Sequence, residues 1–348
     1  MGKPVSRRSL LKAGIGLAAG VGMGKITIGE ARAKEKKGNQ RLSIEQLRKW
    51  EALGYGMFIH FGMSTFVGKE LPDGTAPPST YAPDRLSTDQ WISVARDSGM
   101  KYAVLTAKHV AGHCLWPSDQ TDYTVANSGD KTDVVGEFVK SCEKRGIKPG
   151  LYYCSWDNHT KLESNMWGSG RPGKPFTTSL YHDYMTEQIT ELLTRYGPIA
   201  EMWIDIPGLL GRGYRTFLYR HMAELQPETV IMMNSGISDQ KDYNINYAWP
   251  SDLIAIERRL PPEGGHAKRR TIEGKEYYVP GEVCDYVGHS WFYEEGDTPQ
   301  PDADLLKLAE GCKAGDANLL LNVPPNKHGL IPAESIQALD RLRRALGL

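Results

Sequence analysis

Short hydrophobic runs alternate with amphipathic segments along most of this chain. The short runs predict buried strands, and apolar residues spaced three or four apart predict helices. Strands are predicted at residues 57–62, 102–106, 149–153, 199–204, 230–233, 253–256, 281–287 and 318–322. Helices are predicted at residues 90–98, 134–144, 180–196, 216–225, 303–313 and 333–346, with poorly defined helices around the sixth and seventh strands.

This order of elements predicts an α/β protein with the (β/α)8 fold of a TIM-like barrel. Eight strands alternating with helices over about 300 residues match the count of such a barrel. An open, doubly wound sheet is the alternative, but no glycine-rich phosphate-binding motif follows the first strand. We predict one barrel at residues 45–348, irregular in strands five to seven and without a C-terminal β-sandwich.

The composition is that of a globular protein with a sizeable core. Hydrophobic residues make up 40% of the 348 residues and charged residues 24%. Basic and acidic residues number 42 each, so no charge excess favours nucleic acid or an acidic membrane. The five cysteines lack metal-ligand spacing and lie in apolar segments. We expect most of them to be buried thiols, and no disulfide pairing follows from the sequence.

The first 33 residues have the pattern of a bacterial export signal. The basic segment SRRSLLK at residues 6–12 precedes a mildly apolar run at residues 13–24 and an Ala-Arg-Ala site at residues 31–33. Paired arginines indicate the twin-arginine translocase, which exports folded proteins. A membrane anchor is the alternative, but a glycine-rich run of about fifteen residues is short for a bilayer. We predict a signal at residues 1–33, a polar linker at residues 34–44 and a periplasmic or secreted barrel.

Polar and aromatic residues concentrate where the predicted strands end, and a (β/α)8 barrel builds its active site there. A single histidine at a strand end is more often a structural, hydrogen-bonded residue. The concentration of polar and aromatic residues at corresponding strand ends favours an active site. Aromatic faces stack on sugar rings, and two carboxylates supply the acid and base of glycoside hydrolysis. The set comprises His60, Lys108, His109, Tyr153, Trp156, Asp157, Asn158, His159, Trp203, Asp205, Asn234, Ser235, Glu257, Arg258, Arg259, Glu282 and Asn322.

Six segments of the chain resemble family 29 of the glycoside hydrolases, the α-L-fucosidases. They are FIHFG at 58–62, AKHVAGHCLWPSDQTDYTV at 107–125, GLYYCSWDN at 150–158, EMWIDIPG at 201–208, GEVCDYVGHSWFY at 281–293 and ANLLLNVPPNKHGLIP at 317–332. They follow the family's order from about residue 45 to the end. The resemblance implies exo-acting, retaining hydrolysis of terminal α-L-fucosyl or fucose-configured residues from oligosaccharides or polysaccharides, without a metal or cofactor.

The resemblance also implies the roles of individual residues. The family's nucleophile falls on Asp205, which must be ionised and therefore needs hydrogen bonds or a positive neighbour. Glu257, about fifty residues further on, is favoured as the acid/base, and Glu282 is the alternative. In a retaining enzyme the two catalytic carboxyl groups should lie about 5–5.5 Å from each other. The implied substrate-binding residues are His60, His109, Trp116, Tyr153, Trp203 and Trp291.

Several positions depart from the family pattern. Phe61 replaces a tryptophan, Val110 replaces the second of two histidines, and Asn234 stands where a basic residue is usual. The Glu-Trp pair usual after the first strand has no clear equivalent. These changes predict a shifted preference, such as a modified fucose or L-galactose; drift with substitutes from loops is the alternative. We expect Phe61, Trp291 and Phe292 to meet the C5 methyl group of fucose.

Two other functions stay open at this point. A carbohydrate-binding barrel that has lost catalysis would leave Asp205 without a second carboxylate in reach. A metal-dependent hydrolase would use the strand-end histidines, but such barrels usually carry a His-x-His motif after the first strand. Only His60 is present there, so we predict no metal site.

Overall fold

The computed structural model describes residues 38–160, 178–234, 245–262 and 264–348. The predicted export signal at residues 1–33 therefore lies outside the described residues. Within the described ranges, no helix is both long enough and apolar enough to cross a membrane.

Eight parallel strands form one sheet around the centre of the fold. The described strands are β1 Tyr55–Ile59, β2 Tyr102–Lys108, β3 Lys148–Cys154, β4 Glu201–Asp205, β5 Val230–Met233, β6 Ile254–Glu257, β7 Arg269–Ile272, β8 Lys275–Tyr278, β9 Gly281–Tyr286 and β10 Ala317–Asn322. The order in the sheet is β5-β4-β3-β2-β1-β10-β9-β6, and β7 pairs separately with β8. This topology confirms the predicted α/β barrel.

The sheet closes between β5 and β6 without a regular strand ladder. The carboxylate of Asp252 accepts the N–H of Ile231 at 2.9 Å, and its own N–H donates to the Ile231 carbonyl at 2.8 Å. The hydroxyl of Ser251 accepts the N–H of Met233 at 3.0 Å. Arg41 holds the Asp252 carboxylate in an ion pair of 2.6 Å. Residues that precede β6 therefore seal the barrel.

Most of the helices cover the outside of the sheet, whereas Leu47 and Trp50 of the first helix join the core inside the barrel. The helices are α1 Ile44–Glu51, α2 Met63–Val67, α3 Thr88–Asp97, α4 Val134–Arg145, α5 Ser179–Arg195, α6 Arg212–Leu225, α7 Ile245–Ala248, α8 Asp302–Ala314 and α9 Ala333–Leu346. Helices α3, α4 and α5 are preceded by the N-cap residues Ser87, Asp133 and Thr178, whose side-chain oxygens accept backbone N–H groups. Along the chain, the antiparallel pair β7–β8 is inserted between β6 and β9, which are neighbours in the barrel sheet. This insertion is the irregularity expected near strands five to seven.

Successive residues of each strand face opposite sides of the sheet, which gives the fold two hydrophobic cores. The core inside the barrel includes Phe58, Tyr152, Trp203, Met232 and Leu320. The core between sheet and helices includes Ile59, Tyr153, Ile204, Met233 and Leu321. All five cysteines are buried as free thiols within these cores.

Candidate active site

Asp205 is the last residue of β4, and three donors hold its carboxylate. Oδ2 accepts the hydroxyl of Tyr152 at 2.7 Å. Oδ1 accepts the side-chain amide of Asn234 at 2.8 Å and the backbone N–H of Ile206 at 2.8 Å. Burial raises the pKa of Asp205, and the three hydrogen bonds oppose that rise. The carboxylate is thus held in one orientation at the mouth of the barrel.

The backbone is strained immediately after this carboxylate. Ile206 has a φ of 50°, a left-handed conformation that β-branched residues rarely adopt. Strain of this kind concentrates at functional sites. The strained residue supplies one of the three donors to Asp205, and a 3-10 turn at Pro207–Leu209 follows it.

Glu257 is the last residue of β6, and it shares a hydrogen-bond donor with Asp205. The Nδ2 atom of Asn234 lies 2.8 Å from Oδ1 of Asp205 and 3.2 Å from Oε2 of Glu257. Two oxygens at these distances from one nitrogen are at most about 6 Å apart, which accommodates a retaining pair. Burial, and then the nearby Asp205, raise the pKa of Glu257 to about 7. The environment therefore favours a protonated Glu257 beside an ionised Asp205.

The alternative acid/base, Glu282, lies deeper in the barrel. It is the second residue of β9 rather than the last, so the prediction that it ends a strand is wrong. Its register partner is Ala255, two residues before Glu257, and a strand rises about 3.3 Å per residue. The Glu282 carboxylate accepts the hydroxyl of Tyr102 at 2.6 Å and the indole N–H of Trp203 at 3.1 Å. These contacts place Glu282 beneath the floor of the site.

The two predicted histidines stand across the mouth from Glu257. Nδ1 of His60 bonds to Oδ1 of Asn322 at 2.8 Å, and this oxygen also accepts the His60 backbone N–H at 3.3 Å. The amide of Asn322 is thereby oriented, so Nδ1 of His60 carries the proton and Nε2 is an acceptor. The His109 ring lies 5.8 Å from the His60 ring. Burial lowers the pKa of both histidines, to about 3 for His60, so both are neutral.

Aromatic rings complete the floor and one wall of the site. Trp203 stacks beneath Tyr152 at a ring separation of 5.4 Å. Trp291 lies 5.0 Å from the His60 ring, and Phe292 lies 5.3 Å from it. The structure therefore brings the predicted Trp203, Trp291 and Phe292 together with the histidines.

Tyr153 faces away from the site, and its neighbour Tyr152 takes the position predicted for it. The hydroxyl of Tyr153 donates to the side-chain oxygen of Gln188 on α5 at 2.7 Å. Paired residues of parallel strands face the same side, and Tyr152 pairs with Trp203, whereas Tyr153 pairs with Ile204. The prediction of Tyr153 as a sugar contact is wrong because the strand alternation points it outward.

Three other positions singled out in the sequence are buried in the hydrophobic cores. Trp116 is buried in the outer core and donates its indole N–H to Glu191 at 2.7 Å, so its predicted role in substrate binding is wrong. Phe61 belongs to the same core, 5.2 Å from the ring of Trp91. Val110 is fully buried and exposes no surface to a ligand.

The sequence analysis did not identify Tyr152, although counting positions across β3 and β4 gives it the same orientation as Asp205. Asn234 is among the predicted strand-end residues, but its specific role, an amide that connects both carboxylates, does not follow from the sequence. The described ranges contain no group of three or more His, Cys, Asp or Glu side chains placed to hold a metal ion.

Two carboxylates at the mouth of a (β/α)8 barrel, faced by neutral histidines and aromatic rings, define a site of the glycoside hydrolase class. The family model for Alpha-L-fucosidase matches residues 75–346 of this chain. The chain therefore belongs to the alpha-L-fucosidase family, as its sequence motifs indicated.

Individual relatives agree with this assignment. Alpha-L-fucosidase 1 of Arabidopsis thaliana is 34% identical over 316 residues, which cover 86% of this chain and 59% of the relative. This chain spans less than two thirds of that relative's length. The structure of alpha-L-fucosidase isoenzyme 1 from Paenibacillus thiaminolyticus is 27% identical with a TM-score of 0.70, covering 87% of this chain and 75% of that one. An alpha-L-fucosidase from Lactobacillus casei in complex with alpha-L-fucose, 20% identical with a TM-score of 0.69, shares the fold, covering 87% of this chain and 100% of that one.

Proposed function

We propose that this protein hydrolyses terminal α-L-fucosyl residues of glycans by a retaining double displacement. The observation that carries the proposal is the single amide nitrogen of Asn234 that bonds both Asp205 and Glu257. Two carboxyl groups on different strands that share one donor can act on the same anomeric carbon, and this supports the proposed mechanism. Membership of the alpha-L-fucosidase family supports fucose as the sugar.

In the first step, the ionised Asp205 attacks the anomeric carbon and forms an ester with it. The bond from that carbon to the glycosidic oxygen breaks, and Glu257 gives its proton to this oxygen. The raised pKa of Glu257 keeps that proton available near neutral pH. The three hydrogen bonds to Asp205 keep its carboxylate oriented for attack.

In the second step, Glu257 acts as a base on water. Once Asp205 is an ester it carries no charge, so its contribution to the raised pKa of Glu257 is removed, which favours the ionised carboxylate. The Glu257 carboxylate takes a proton from water, the water oxygen attacks the anomeric carbon, and the ester bond to Asp205 breaks. Two inversions release fucose with its original anomeric configuration.

The remaining residues of the site suit a fucose ring. The neutral His60 and His109 can bond ring hydroxyls, while Trp291 and Phe292 offer an apolar surface to the C5 methyl group. L-Galactose carries a hydroxymethyl group at this carbon, and an apolar wall gives that hydroxyl no partner. A barrel that only binds sugar is disfavoured because Glu257 lies within reach of Asp205.

Turnover of 4-nitrophenyl α-L-fucoside tests this proposal. We expect the wild type to release nitrophenol, with α-L-fucose as the first-formed anomer by proton NMR. Asp205→Asn should lower kcat by several orders of magnitude, whereas Asp119→Asn, at an exposed carboxylate paired with Arg195, should not. An inert wild type, or β-L-fucose as the first product, would refute the proposal.

We also propose that the twin-arginine translocase exports the chain to the periplasm or beyond. The support is the SRRSLLK segment and the Ala-Arg-Ala site at residues 31–33. The double variant Arg7→Lys/Arg8→Lys should remain in the cytoplasm at full length. The control variant Lys3→Gln should still be exported. Unchanged export of the double variant would argue against this route.

A further inference from the structure

The Pro-Gly pair that follows the nucleophile strand touches the connection between β5 and β6. Gly208 lies in the 3-10 turn Pro207–Leu209, three residues after Asp205. A Cβ atom at residue 208 would lie 2.1 Å from Cε2 of Tyr247, closer than real Cβ contacts come. The φ angle of Gly208 is not left-handed. Glycine is therefore required here by the close approach of the Tyr247 ring, which helix α7 carries.

A buried arginine fixes this approach. Arg215 on α6 is 2% exposed. Its guanidinium donates to the carbonyls of Asn246 at 2.6 Å and Trp249 at 3.2 Å, on either side of Tyr247. It also donates to the carbonyl of Leu210, in the turn after Asp205. Arg215 thus ties the segment that carries Tyr247 to the turn that follows the nucleophile.

Tyr247 is half-buried and lies within electrostatic range of both carboxylates. Burial raises its pKa, and the charges of Asp205 and Glu257 raise it further. In the order of the sheet, β5 and β6 lie across the barrel from β1 and β2. The Tyr247 ring therefore stands on the Glu257 side of the site, opposite the wall formed by His60 and His109.

We propose that Tyr247 contacts the sugar that leaves during the first step and so determines specificity for the leaving group. This inference rests on the proposed function, in which Glu257 protonates the departing oxygen. The departing sugar must then lie beside Glu257, while the fucose ring faces the histidine wall. An aromatic ring on the Glu257 side of the site offers a flat apolar surface on which a pyranose can stack.

The ratio of kcat/KM values for two substrates tests this role. The leaving group of α-L-fucosyl fluoride is a single fluoride ion. In a disaccharide of fucose linked to a second pyranose, the leaving group is a whole sugar ring. Tyr247→Ala should lower the disaccharide-to-fluoride ratio about tenfold. Tyr214→Ala, which removes a half-buried tyrosine that stacks on His182, is the matched control and should leave the ratio at the wild-type value.

Gly208→Ala probes the same contact from the other side. The added Cβ must displace the Tyr247 ring, so this variant should also lower the ratio. In the Tyr247→Ala background the Cβ has room, and Gly208→Ala should cause no further loss. If Tyr247→Ala does not fold by circular dichroism, Tyr247→Leu keeps apolar volume without a flat ring and should lower the ratio as well.

An unchanged disaccharide-to-fluoride ratio in folded Tyr247→Ala or Tyr247→Leu would overturn the inference. So would a Gly208→Ala substitution that lowers the ratio equally in the wild type and in the Tyr247→Ala background. Failure of the proposed function looks different. The wild type would then turn over neither substrate, or Asp205→Asn would turn over both at the wild-type rate, and the leaving-group role would fall with it.

Discussion

The hydroxyl of Tyr152 donates a hydrogen bond of 2.7 Å to Oδ2 of Asp205. The ring of the same tyrosine stacks against His109 at 5.6 Å and Trp203 at 5.4 Å. Tyr152 therefore contacts the proposed nucleophile, the histidine wall and the floor of the site at once. Its position follows from the register of β3 with β4 rather than from any local motif.

Removing this hydroxyl should impair the nucleophile. A hydrogen bond to an ionised carboxylate lowers its pKa, so Tyr152→Phe should raise the pKa of Asp205. We expect kcat/KM to fall about 10- to 100-fold, and its acidic limb to move to higher pH. Tyr153→Phe is the control because its hydroxyl bonds to Gln188 outside the barrel. An acidic limb that moves in Tyr153→Phe and not in Tyr152→Phe would show that Tyr153, and not Tyr152, contacts Asp205.

Glu257→Gln should separate substrates by their leaving groups. The leaving group of the nitrophenyl substrate departs as nitrophenolate without a proton, whereas the glycosidic oxygen of a departing sugar needs one. We expect kcat/KM to fall about 10²–10⁴-fold for a fucosylated disaccharide and much less for 4-nitrophenyl α-L-fucoside. The alkaline limb of the wild-type pH profile, expected near pH 7 from the pKa of Glu257, should disappear. The same leaving-group dependence in Glu282→Gln, with none in Glu257→Gln, would assign the acid to Glu282.

Asn234→Ala should move the whole pH optimum upward. The shared amide stabilises the ionised forms of both Asp205 and Glu257, so its removal raises both pKa values. The acidic and alkaline limbs of kcat/KM should therefore both shift to higher pH. Asn318→Ala removes a buried amide that donates to the Trp50 carbonyl at 3.1 Å and should leave the limbs in place. A downward shift in Asn234→Ala would contradict the bridging role.

A second carboxyl pair, deeper in the barrel, affects stability. Burial raises the pKa of Glu201 and Glu282, to about 7 for Glu282. Oε1 of Glu201 has no donor among the described residues, so a proton on one carboxyl that bonds the other would satisfy the pair. A raised pKa means that the folded protein binds more protons than the unfolded chain. The resulting stability is therefore lost as pH rises from about 4.5 towards 7.

Glu201→Gln should reduce this loss because glutamine has the shape of a protonated glutamate and does not ionise. We expect the free energy of unfolding at pH 8 to exceed that of the wild type by about 1–3 kcal/mol, with little difference at pH 5. Urea unfolding at the two pH values measures it. Glu137→Gln, at an exposed carboxylate paired with Lys140, should change neither value. A larger gain at pH 5 than at pH 8 would contradict the protonated pair.

The fold could largely be predicted because its strands and helices bury regular apolar patterns. Residues 230–233 and 333–346 match β5 and α9 to the residue. The hairpin β7–β8 could not be predicted in this way. Its strands, RRTI and KEYY, bury little beyond Ile272 and Tyr278, so they carry no continuous apolar signal.

The site could be predicted only as far as strand ends determine it. Asp205 and Glu257 end their strands, and that position follows from local pattern. The direction of Trp116 depends on Glu191, 75 residues away along the chain, and no local spacing encodes such a contact. The close approach of Tyr247 to Gly208 likewise joins two separate connections of the barrel.

Covalent trapping tests the central claim, that Asp205 attacks the anomeric carbon. In 2-deoxy-2-fluoro-α-L-fucosyl fluoride, the fluorine at C2 slows both displacements. The fluoride at the anomeric carbon is a good leaving group and restores the rate of the first displacement, so the ester accumulates. Mass spectrometry of the intact protein and of its peptides locates the label. The account predicts one fluorofucosyl unit on the peptide that contains Asp205, and none in Asp205→Asn. A label on Glu257, Glu282 or another residue, or turnover with inversion and no label, would contradict it.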